Sequence, residues 1–191
     1  VARSGNLMVR QFERPDESHV AVVLDGRASR QSVSSFERAV EAAASVLTAV
    51  VADRPVRLLS TAGLDTRTLS DASSLGPVMD RLATVAIGPE ANLSSVARTL
   101  ADDATGLIVV CGTTLSADDR RLLTNGDSSR MLVSIDCSAT EAQPGVVPFG
   151  SGIELATTWS EAWAEELAQR LRFGGAPLRS SGSVQPGGPQ R

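Results

Sequence analysis

The chain has no lysine and no tyrosine, a single histidine, two cysteines and only 3% aromatic residues among 191. Each shortage removes a class of chemistry. One histidine, His19, cannot supply both a triad base and a metal cluster, and it stands at the start of an apolar run, the end of a strand opposite to where α/β sites form. A cysteine nucleophile lacks a base for the same reason. Cys111 and Cys137 lie far apart without Cys-x-x-Cys spacing, which excludes a zinc cluster and fits free thiols in a reducing compartment. No glycine-rich phosphate loop follows any apolar run, so nucleotide binding has no support. All 18 basic residues are arginine, yet the formal charge is −4 and no basic run stands out, which argues against nucleic acid as a partner. No apolar stretch approaches the roughly 20 residues of a spanning helix.

What is present is globular: 42% apolar and 21% charged residues, in a chain long enough for one core. Residues 7–12, LMVRQF, read as a strand, and HVAVVLD as a strand covered on both faces. Phe36, Ala39, Val40, Ala43, Leu47 and Val50 then recur at helical spacing, with Ser34 and Glu37 forming a capping box and Pro55 beyond the end. VRLLST at 56–61, TVAIG at 84–88, GLIVVCG at 106–112 and MLVSID at 131–136 read as strands. Helices are expected over 70–83 with a break near Gly76-Pro77, over NLSSVARTLADD, and over SADDRRLL with Ser116 and Asp119 as a box. A last helix carries Trp159, Trp163, Leu167 and Leu171 on one face; these aromatics suit core or partner-facing anchors.

This alternation implies parallel pairing and right-handed crossovers, hence a three-layer α/β sandwich around a mostly parallel sheet. Residues 1–18 form a leading strand and linker, 19–173 the domain, and 174–191 a Gly-, Pro- and Ser-rich disordered tail. A chain that opens on Val1 reads as a segment of a longer protein.

Ligands of open α/β sheets sit beyond the carboxyl ends of the strands, here Asp25, Thr61, Cys111-Gly112-Thr113 and Asp136-Cys137. Asp25, Ser29 and Thr61 would be the oxygen donors of a Mg²⁺ site. Arg27 stands where a further oxygen is needed, and a guanidinium cannot ligate a cation. Asp25 therefore caps its loop or pairs with Arg27, and Asp25, Arg27 and Ser29 read as a charged contact patch. Asp102-Asp103 and Asp118-Asp119 read as solvated helix ends, the second pair favoured by the N-terminal dipole.

The segments ARSGNLMVRQFE, VAVVLDGRAS and SFERAVEAAASVL resemble the domain-of-unknown-function 58 family, bacterial proteins that accompany MoxR-type AAA+ ATPases. The similarity spans residues 2–47, with Ala2-Arg3-Ser4-Gly5 through Arg10, Asp25 and Phe36-Glu37 as its anchors. It implies a von Willebrand factor A-like domain with a Rossmann-like topology. In such domains the cation site uses Asp-x-Ser-x-Ser, a threonine and a further aspartate. Asp25 and Ser29 match, Thr61 corresponds to the threonine, Arg27 departs, and the last aspartate is missing. The resemblance also implies membrane helices upstream and a domain on the cytoplasmic side. The expectation is a non-enzymatic interaction module with a degenerate metal-ion-dependent adhesion site and no cofactor, working with an AAA+ ATPase. A divalent-metal-dependent binder using Asp25 and Ser29 is the alternative, and an enzyme of another type using Cys111 or Cys137 the third.

Overall fold

The computed structural model describes residues 19–103, 105–127, 130–138, 145–149 and 152–158. The strand expected at 7–12, the helix carrying Trp159 and Trp163, and the tail fall outside these residues. Seven strands form one sheet: β1 (His19–Leu24), β2 (Val56–Ser60), β3 (Asp65–Leu69), β4 (Thr105–Gly112), β5 (Met131–Asp136), β6 (Gly145–Phe149) and β7 (Gly152–Thr158). The spatial order is β3-β2-β1-β4-β5-β7-β6. The five inner strands run parallel, and β3 and β6 close the edges antiparallel. The described helices are α1 (Val33–Val50), α2 (Leu75–Leu82), α3 (Leu93–Ala101) and α4 (Ala117–Thr124). None of them is long and apolar enough to cross a membrane.

Period-two alternation on the central strands splits the core into two halves. Val20, Val22 and Leu24 of β1 and Leu107, Val109 and Cys111 of β4 pack with Phe36, Ala43 and Leu47 of α1 and with Val78 and Leu82 of α2. Ala21, Val23, Ile108 and Val110 face the other way, onto Leu93, Val96 and Leu100 of α3 and Leu123 of α4. Every residue of β1 is buried, as an unbroken apolar run requires when helices cover both faces. The α/β architecture with a mostly parallel sheet is thus present.

Several elements differ from expectation. The cap of α1 is Ser32, which accepts from the Ser35 amide while the Ser35 hydroxyl accepts from the Ser32 amide. Ser34 and Glu37 do not form that box, because the helix begins at Val33. The break near Gly76-Pro77 is a 3₁₀ turn at Ala72–Ser74 running into α2, which starts at Leu75 and keeps Pro77 in its first turn, where no intrahelical donor is needed. TVAIG is not a strand: it contributes one bridge, Arg27 to Gly88, with the Gly88 amide donating to the Gly26 carbonyl at 3.1 Å. The edge strand β3 was not expected. It is short and largely exposed, and Arg67 within it has φ 58°, so it carries no apolar alternation. The hairpin β6–β7 was also unexpected; Pro148, which cannot donate to a ladder, lies on the outer edge strand.

Candidate functional site

After β1 the chain continues to β2 on one flank of the sheet, and after the neighbouring β4 it continues to β5 on the other, which places the topological switch point between the carboxyl ends of β1 and β4. Asp25 stands there. Its amide donates to the Cys111 carbonyl at 3.0 Å, extending the β1–β4 ladder by one residue. The alternation that turns Ala21 and Val23 towards α3 and α4 carries Asp25 to the same face, and it is fully buried.

A buried carboxylate needs a charged partner. Arg27 supplies it: Nε lies 2.9 Å from Oδ1 and 3.1 Å from Oδ2 of Asp25, and Nη2 lies 2.8 Å from Oδ2. The Arg27 amide also donates to Oδ1 at 3.2 Å, so Asp25 both caps its loop and pairs with Arg27. The other side of the same guanidinium reaches Asp119, with Nη1 to Oδ1 at 3.0 Å and Nη2 to Oδ2 at 3.3 Å. Arg30, exposed in the same turn, adds Nη2 to Asp119 Oδ2 at 3.3 Å.

Asp119 is held by the first turn of α4. Ser116 caps that helix and accepts from the Asp119 amide at 3.1 Å, while the Ser116 amide donates back to Asp119 Oδ2 at 3.3 Å. The capping box is as the sequence indicates, but Asp119 is not a solvated helix end. Asp118, its neighbour, is; helical spacing turns one carboxylate to solvent and the next towards the sheet. Asp103 is likewise engaged, accepting from Arg57 Nη1 and lying 3.1 Å from His19 Nε2 at the other end of the sheet, while Asp102 is exposed.

Burial works against the charge on Arg27, but hydrogen bonds to Asp25 and Asp119, and their negative charge, outweigh it and hold the guanidinium above its ordinary pKa. Burial works against the charge on Asp119 as well; there the Arg27 hydrogen bond and charge and the Ser116 contacts prevail, and its pKa is lowered.

Thr61 lies beside Asp25 but faces the backbone: its Oγ1 accepts from the buried Gly26 amide at 2.8 Å, tying the end of β2 to the β1 turn. Gln31 closes the other flank, its Nε2 donating to the Asp25 carbonyl. Gly112 makes this arrangement possible, since a Cβ there would lie 2.8 Å from Asp25 Cβ and 3.0 Å from Gln31 Nε2. Ser29 is exposed on the turn and does not join the cluster.

The donor set does not fit a divalent ion. Both Asp25 oxygens already accept from a cation, the Thr61 oxygen is committed to an amide, and Ser29 is exposed on the turn. No cluster of three or more His, Cys, Asp or Glu side chains suited to a metal occurs among the described residues. Cys111 and Cys137 are free and buried on the α1 side of the sheet. Burial raises both thiol pKa values, that of Cys137 to about 12. His19, at the far end of β1, is 3.1 Å from Thr105 Oγ1 and remote from either thiol along the strand.

The sequence alone points to Asp25, Arg27 and Thr61 and places Gly112 at a strand end, but it gives Asp119 only as a capping and solvated residue and does not mark Arg30 or Gln31. The signal for Asp119 was its place at the third position of a capping box directly after the β4 loop. No protein-family model matches the chain, and no curated protein matches it.

Proposed function

We propose that this chain is a non-enzymatic protein-interaction module of the von Willebrand factor A-like kind, in which the adhesion site works without a metal ion. The observation that carries the reading is the Asp25–Arg27–Asp119 cluster. At the end of the sheet where open α/β domains present their ligands, the polar side chains engage one another instead of standing ready as nucleophile and base. Ser29 and Arg30 are exposed around it and offer hydroxyl and guanidinium donors to a partner. The position of Asp25 at the β1–β4 switch point supports the topological part of the reading. The thiols, buried and held protonated, give an enzyme little to work with.

The partner that the resemblance to the domain-of-unknown-function 58 family suggests is a MoxR-type AAA+ ATPase, met on the cytoplasmic side of a membrane that upstream helices would enter. The full-length protein mixed with such an ATPase is expected to be retained on affinity resin in a nucleotide-dependent manner, and Arg30→Glu to lower that retention. Equal retention of the variant, or none with ATP, ADP or without nucleotide, would remove the reading.

A further inference from the structure

We infer that the Arg27 guanidinium is a resident cation, taking the position between two carboxylates that a divalent ion would otherwise hold.

Asp25 and Asp119 come from different elements, the end of β1 and the first turn of α4, and nothing in their own hydrogen bonding requires them to converge. They converge on one group. Asp25 is fully buried and cannot rotate to solvent, and Asp119 is fixed by its capping bonds. Two like charges held in place beneath the surface repel each other unless a cation lies between them. The guanidinium fulfils that role with five N–H donors arranged as a planar fork, three contacts going to Asp25 and two to Asp119. Arg30 supplies the second positive charge, so two arginines balance two aspartates and the cluster is neutral without an ion from solution.

The arrangement has a consequence for metal binding. With Arg27 in place, a divalent ion meets a positive charge and oxygens already used. With Arg27 shortened, Asp25 and Asp119 face an unfilled space at the head of the sheet, and a hard divalent cation with its own waters suits two carboxylates. The test uses the chain with Mg²⁺ and Mn²⁺ as probes, read by thermal unfolding and by the loss of the free Mn²⁺ paramagnetic signal. The wild type is expected to show the same unfolding temperature with Mn²⁺ or with EDTA and no bound Mn²⁺. Arg27→Gly is expected to unfold at lower temperature, to bind Mn²⁺ at least about tenfold tighter than wild type once the guanidinium between the two carboxylates is gone and only Arg30, on the outer side of Asp119, remains, and to recover part of its lost temperature. Arg27→Gly with Asp119→Asn should lose that recovery. Tight Mn²⁺ binding by the wild type would overturn the inference. So would an Arg27→Gly protein that folds and ignores Mn²⁺, whatever its stability. Should Arg27→Gly not fold, Asp119→Asn in the wild-type chain decides: the inference requires this variant to be destabilised, and unchanged stability would overturn it.

Discussion

Arg27 and Asp119 are 92 positions apart in sequence and 3.0 Å apart at Nη1 and Oδ1. This contact, with the Arg27 and Arg30 Nη2 bonds beside it, fastens the turn after β1 to the first turn of α4, and the fully buried Asp25 receives its counter-charge from the Arg27 side chain. The end of the sheet is therefore held by charge and geometry together, and its failure modes can be stated.

Arg27→Ala should destabilise the protein by about 3–5 kcal/mol, because removing one partner leaves a buried carboxylate uncompensated. Arg27→Lys should recover only part of this, since an ammonium cannot present a planar fork to both aspartates. Urea denaturation of the three proteins checks the order wild type, then lysine, then alanine; equal stability of lysine and wild type would show that charge alone suffices.

Asp119→Ala removes the Arg27 and Arg30 contacts and the reciprocal bond to the Ser116 amide. The Ser116 cap itself, worth about 0.5–2 kcal/mol, is kept, because Ser116 still accepts from the backbone amide of residue 119. A double-mutant cycle with Arg27→Ala should give a coupling of about 0.5–3 kcal/mol between the two residues; additive losses would mean that the contact contributes nothing.

Acid should weaken the fold through the paired aspartates. For Asp65 the Arg57 hydrogen bond is the leading cause of a lowered pKa, and Asp119 is lowered by Arg27 once burial is overcome. A carboxylate with a depressed folded-state pKa stabilises the native state above its unfolded value of about 3.9. That contribution is lost as pH falls through the folded value. Stability measured between pH 6 and pH 2 should hold near the top of the range and drop below about pH 4, and Asp119→Asn should flatten part of the drop.

Two glycine substitutions should destabilise for different reasons. A methyl group at Gly112 meets Asp25 and Gln31 at 2.8 and 3.0 Å, so Gly112→Ala should cost about 1–3 kcal/mol through overpacking. Gly76, in the first turn of α2, has open space around its Cβ position apart from its chain neighbours, but Pro77 follows it and the proline ring crowds a preceding Cβ in helical backbone, so Gly76→Ala should also destabilise, as thermal unfolding of the two variants would show.

Native protein at pH 8 should react slowly with a disulfide reagent at both cysteines, since the thiols are buried and Cys137 is raised to about 12. Denaturant should release both at once, and fast labelling of either thiol in the native state would contradict the packing.

The amino-acid order by itself determined the inner strands β1, β2, β4 and β5 and the helices between them, because these elements bury apolar side chains at periods that can be counted along the chain: HVAVVL, GLIVVCG and MLVSID each lie within or coincide with a strand. It also placed Asp25, Arg27 and Thr61 at strand ends, as the apolar runs stop there. The edges were not legible: β3 and the hairpin β6–β7 take part of their order from pairing with a neighbour already in place, and TVAIG, apolar enough for a strand, found no neighbour beyond one bridge. Only the tertiary structure decided which carboxylate Arg27 would share with Asp25. That choice depends on the direction in which α4 leaves β4, which brings Asp119 inward and leaves Asp118 in water, and a contact across 92 residues leaves no periodic trace in the chain.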